Sequence, residues 1–177
     1  LVKQGDGTLV LPNVKETYSG NTDVWAGTLQ FDGTMEKSPV WLNRFAKLNS
    51  NGTFNAGIKA DYGSVIYLGG MDKTGSLSTS ELNLGFGARI VFDAEGNNVD
   101  KFVATKMTIE KKNWENGPEY DAPVFEFTSA PQAGDYVLAE VAELTGNIAD
   151  IVVEGLSGKK YQLAYADGKI TMTIQDG

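Results

Sequence analysis

Three groups of side chains in this 177-residue chain could do chemistry. The first is aromatic: Trp25, Trp41, Trp114 and Tyr120, with Tyr62 and Tyr67. An exposed flat ring can stack on a sugar face, so these rings are candidates for glycan contact, although the same residue types also fill strands and cores. Trp114 and Tyr120 stand in the polar loop KKNWENGPEYDAP, where a reason for burial is hardest to supply. Trp25, at the end of the expected strand Asp23–Trp25, is expected to face outward. Trp25, Trp114 and Tyr120 are therefore the candidate ligand-binding residues.

The second group is acidic: Glu110, Glu115, Glu119, Asp121 and Glu126. Glycoside hydrolysis needs two carboxylates held about 5–10 Å apart, which this run does not define, and a solvated negative face is the plainer account. The third group is FDAEGNNVD, in which Asp93, Glu95, Asn97 and Asp100 are oxygen ligands at the short spacing that calcium uses. Gly96 is misplaced for an EF-hand and no Glu closes the loop. A hairpin or corner turn made of good turn residues is the alternative. No catalytic residue, metal ligand or cofactor is assigned.

The chain has no histidine and no cysteine. That removes the Ser-His-Asp triad, thiol catalysis, zinc-thiolate sites and disulfides. Fifteen basic against 23 acidic residues give a net charge of −8, which repels nucleic acid and any polyanionic substrate. A polysaccharide lyase would need a Lys or Arg base, and Arg44 and Arg89 are the only arginines. No apolar run reaches the roughly 20 residues of a spanning helix, so this segment is not expected to insert in a membrane.

These residues must be positioned by strands. Twenty-one glycines and five prolines punctuate short alternating segments, the pattern of an all-β chain. Expected strands include Thr8–Leu11, Asp23–Trp25, Thr28–Phe31, Val65–Leu68, Ala88–Phe92, Val124–Phe127, Tyr161–Tyr165 and Ile170–Ile174. Asp167-Gly168 lies between the last two and predicts a hairpin. The segment Pro39–Asn49 fits a short helix or a bulged strand pair. Gly7-Thr8-Leu9 returns as Gly27-Thr28-Leu29 and, more loosely, as Gly52-Thr53-Phe54. In a solenoid, such a return stacks Thr8 over Thr28 and Leu9 over Leu29, so that neighbouring coils bury one another's inward faces. Solenoid rungs are expected over 1–105, with an irregular loop and an antiparallel cap over 106–177, as one continuous unit. Spacing after Gly52 is irregular.

The stretch LVKQGDGTLVL…YSGNTDVWAGTLQFDG resembles the autotransporter-associated β-strand repeat of large secreted bacterial proteins. Lys3, Gly5, Gly7, Thr8, Leu9, Leu11, Tyr18, Gly20, Thr22, Val24, Gly27, Thr28 and Leu29 hold the motif's places, over about the first 33 residues. The resemblance implies a right-handed parallel β-helix on a bacterial cell-surface or extracellular protein, and no reaction. The tail DIVVEGLSGKKYQLAYADGKITMTI is similar to closing segments of repeat-bearing surface proteins. The expectation is a non-catalytic structural or adhesive segment of a longer chain, whose partners are the other domains of that chain. A carbohydrate-binding module using exposed aromatics is the alternative, and a lyase the third.

Overall fold

In the computed structural model, which describes residues 1–69, 75–110 and 121–177, the chain winds into a parallel β-solenoid. Strand alternation drives the winding. In Thr28–Gln30 only Leu29 is buried, and in Val40–Leu42 Trp41 alone is exposed, the period of two expected where one face meets a core.

One face of the coil is a seven-stranded sheet with every pairing parallel. Its strands are Thr8–Val10, Thr28–Gln30, Lys47–Ser50, Val65–Leu68, Arg89–Phe92, Val124–Phe127 and Val152–Glu154. Thr8 lies beside Thr28 and Leu9 beside Leu29, so the return of Gly-Thr-Leu marks one coil. The inward row then continues unbroken through Leu48, Ile66, Ile90 and Phe125 to Val153. Leu29 and Phe31 are fully buried, whereas Leu9 and Leu11 on the outermost coil are partly buried.

The second sheet has twelve strands and bends. In early coils it is split by a corner, as in Thr34–Met35 with Val40–Leu42 and Thr53–Phe54 with Ile58–Ala60. From Ser76–Leu84 onward one continuous strand spans both parts, and Lys101–Ile109 and Gly134–Thr145 stack on it in parallel. Parallel coiling therefore persists beyond Gly52 and beyond residue 105 despite the irregular spacing. Extra residues collect at corners, such as the hairpin Ala94–Glu95 with Asn98–Val99, and leave the inward positions in register. Phe92 anchors the wider coils, with the rings of Phe125 and Phe127 both 5.1 Å away.

Pro39–Asn49 forms two strands, not a helix. Val40–Leu42 and Lys47–Ser50 flank a corner where Phe45 takes φ 62. Val40, Leu42 and Leu48 must each enter the core from an extended backbone, and that outweighs the approximate helical spacing of Trp41, Leu42, Phe45 and Leu48.

The last coil is closed by an antiparallel hairpin. Lys169–Gln175 pairs with Gly134–Thr145 on one side and Lys160–Ala166 on the other. Asp167 (φ 53) and Gly168 (φ 72) both adopt positive φ, as a two-residue type I′ turn requires. Ile170, Met172 and Ile174 are buried beneath it.

Candidate functional site

The outward side of the bent sheet carries a row of stacked residues: Asp23, Trp41, Lys59 and Asn83 are register neighbours on successive strands. Trp41 is 38% exposed. Its indole Nε1 donates to Asp61 Oδ2 at 2.7 Å, and the Lys59 ammonium sits 4.8 Å from the ring centroid. The two contacts fix the ring against the sheet, one by a charge-assisted hydrogen bond and the other by a cation–π attraction. Beside it opens a cleft of about 260 Å³, lined by Trp41, Lys59, Glu81, Asn83, Asn21 and Pro39, among others. It arises where the corner Asn55–Gly57 of one coil faces the uninterrupted strand Ser76–Leu84 of the next. An aromatic edge, a carboxylate, two amides and an ammonium converge there, a set suited to holding a polyhydroxylated ligand.

The adjoining corner presents more rings. Asn43 N–H donates to Val24 C=O and Lys47 N–H to Gly27 C=O, so residues 43–46 lie over Trp25 and Ala26 of the preceding coil. Trp25 is 55% exposed, as its place after the buried Val24 predicts, and Phe45 is 65% exposed. Phe45 meets Tyr62 edge-on at 5.9 Å, and the Arg44 guanidinium lies 5.5 Å from the Tyr62 centroid. A Cβ on Gly63 would overlap the Phe45 ring, so this glycine makes room for it. Tyr62 Oη donates to Asp121 Oδ2 at 2.9 Å, and that bond raises the phenol above its ordinary pKa.

Trp114 and Tyr120, with Glu115 and Glu119, lie outside the described residues. The remaining members of the acidic run are dispersed: Glu110 N–H donates to Leu84 C=O just past the strand Lys101–Ile109, Asp121 holds Tyr62, and Glu126 accepts from Arg89 at 3.0 Å, as does Glu154 from outside the run at 2.6 Å. These bonds, led by that to Glu154, raise the Arg89 pKa further. In FDAEGNNVD, Gly96 takes φ 63 at the tip of a hairpin and Asp100 turns inward. Its two carboxylate oxygens accept from the backbone N–H groups of Gly75 and Asp93. Burial, the largest cause, raises the Asp100 pKa to about 6. Asp100 thus ties the hairpin base to the preceding coil.

Several residues of the N-terminal motif build the coil. Lys3 is buried, and its ammonium donates to the carbonyls of Gly5 (2.6 Å), Gln4 (2.7 Å) and Ala26 (3.1 Å), closing the corner between two coils. Gly5 and Gly27 have positive φ there. Tyr18 Oη, Thr22 Oγ1 and Ser38 Oγ form a short chain of hydrogen bonds across two coils. Residues 1–31 match the family model of the passenger-associated-transport-repeat. This passenger repeat is a structural repeat of autotransporter passengers and implies a secreted or surface protein. No curated protein matches the chain. Sequence reasoning placed Lys3 in the motif without its buried role, and it missed Phe45, Lys59, Glu81 and Asn83, because nothing local marks which coil each one faces.

Proposed function

We propose that the chain is a non-catalytic scaffold or stalk segment of an extracellular bacterial surface protein, joined to other domains of the same longer chain. The observation that carries this reading is the unbroken inward row from Leu9 to Val153, in which the residues of the passenger repeat serve stacking and corner closure. Asp121, Glu126, Glu154 and Asp100 are occupied by Tyr62, Arg89 and backbone N–H groups, which leaves none of these four poised as a general acid or base. Lyase chemistry finds its best-placed arginine, Arg89, already held between two glutamates. The expected outcome of incubating the protein with neutral and acidic polysaccharides, with and without calcium, is no new reducing ends and no unsaturated sugars. Product formation abolished by one Glu or Lys substitution would overturn the proposal.

The cleft at Trp41 favours an adhesive refinement, in which the scaffold holds a neutral sugar residue weakly. The ring edge supplies an apolar surface, while Glu81, Asn83 and Lys59 supply partners for hydroxyls. A glycan array followed by titration calorimetry tests it, with W41A expected to abolish any binding seen. Binding unaffected by W41A but lost in W114A would move the site to the loop containing Trp114.

A further inference from the structure

The strand Lys160–Ala166 is the last strand of the bent sheet, hydrogen-bonded to Lys169–Gln175 on one side only. Ala166 and Lys169 flank the two-residue turn and form a hydrogen-bonded pair. Alternate residues Ala164, Gln162 and Lys160 therefore direct their backbone groups toward Lys169–Gln175, and Tyr161, Leu163 and Tyr165 direct theirs outward. Among the described residues, no other backbone hydrogen-bonds to the groups of these three, although the turn Ile148–Asp150 packs against the strand.

Such an edge is usually blunted by brevity, proline, a bulge or inward charge. The other terminal strands of the two large sheets, Val2–Lys3, Thr8–Val10, Lys15–Glu16 and Val152–Glu154, have two or three residues each. Lys160–Ala166 has seven, with no proline, an uninterrupted register, and a single charge at its first position. The outward-directed residues also share a face with the buried Ile174, Met172 and Ile170, their cross-strand partners. On that face Tyr161 is 42% exposed, and Leu163 and Tyr165 are partly exposed, so an incompletely covered apolar row runs along the open edge.

We infer that this edge pairs antiparallel with the same strand of a second copy of the chain, about a two-fold axis through Leu163. In that register Leu163 faces the second copy's Leu163, and Tyr161 faces its Tyr165. All three facing pairs bring outward-directed groups together, and each pair exchanges two hydrogen bonds. The register also matches charge. The exposed Lys160, which lies at the start of the strand, comes beside the exposed Asp167 just past the end of the other. Neither has an ion-pair partner among the described residues. An isologous contact of this kind closes on itself, giving a dimer and not a fibre.

Sedimentation velocity and light scattering across a concentration series test the inference. An interface of one strand pair is small, so the dimer is expected to fill between about 10 µM and about 1 mM. L163K sets like charges opposite each other at the axis and is expected to weaken association at least about tenfold, with circular dichroism reporting that the fold is kept. Because the chain has no cysteine, L163C supplies a single thiol. The facing Cα atoms in such a pair lie about 5.5 Å apart, within disulfide reach, so mild oxidation is expected to yield a covalent dimer. V10C, on the exposed edge of the outermost coil at the opposite end, is the control expected to cross-link slowly. A wild-type chain that remains monomeric at about 1 mM overturns the inference. So does a dimer indifferent to L163K, or L163C that cross-links no faster than V10C.

Discussion

Gly27 sits directly over Gly7 in the stacked corner: a Cβ at Gly27 would collide with the Gly7 carbonyl oxygen and the Gly5 carbonyl oxygen, and its φ is +68. Two glycines, twenty positions apart in sequence, are thus one packing contact. G27A is expected to destabilise the protein by roughly 2–4 kcal/mol, combining left-handed strain with backbone overlap. G96A is the comparison, with a similar φ of +63 but open space around it, and should cost about 1 kcal/mol. Urea unfolding of both variants measures the difference. Equal losses would show that the coil contact contributes nothing.

Leu29 is fully buried between Leu9 and Leu48. Truncating it to alanine is expected to cost about 2–5 kcal/mol, as cavity formation in a close-packed core does. V10A, one residue past Leu9 and exposed, should change stability by less than about 0.5 kcal/mol. A loss under about 0.5 kcal/mol for L29A in denaturant unfolding would refute the inward assignment.

Asp100 gives the protein an acid-side gain in stability. Its folded pKa is raised to about 6 from the ordinary 3.8 of an aspartate, so between those values the folded state binds the proton more tightly than the unfolded chain. The cost of keeping the buried carboxylate charged is full above about pH 6 and disappears as pH falls below about 4. Stability of the wild type relative to D100N should therefore rise by on the order of 2 kcal/mol from pH 7 to pH 4. Comparing the two proteins cancels the titration of carboxylates remote from Asp100. A difference that is constant with pH, or that shifts toward D100N in acid, contradicts the assignment.

Removing residues 158–177 strips Ile170, Met172 and Ile174 from the last coil and frees an edge of Gly134–Thr145. The shortened chain is expected to aggregate and to bind a hydrophobic dye, because the uncovered edge and apolar end attract other chains. Dynamic light scattering checks this. A monodisperse product with unchanged thermal unfolding would mean that the hairpin is not a cap.

Some of this was legible in the chain alone. Alternation marked Val65–Leu68 and Val124–Phe127 at their full extents, Asp167-Gly168 announced its turn, and the repeated Gly-Thr-Leu located the first two coils. Each of these signals is local: it depends on side-chain alternation, or on a residue's tolerance of positive φ, within a few positions. The outward direction of Trp25 followed from its place after Val24, the inward position of the repeat motif that the first 33 residues resemble. What the tertiary structure decided is which strand lies beside which. Beyond Gly52 the coils change length, and only the three-dimensional register brings Ile66 beside Ile90 and Ile90 beside Phe125. Likewise Trp41 announced itself as a ring, but its partners Lys59 and Asp61 are its neighbours only because the next coil passes over it. A solenoid constrains the inward residues of each coil strongly and the length of its corners weakly, so sequence spacing loses the register that stacking restores.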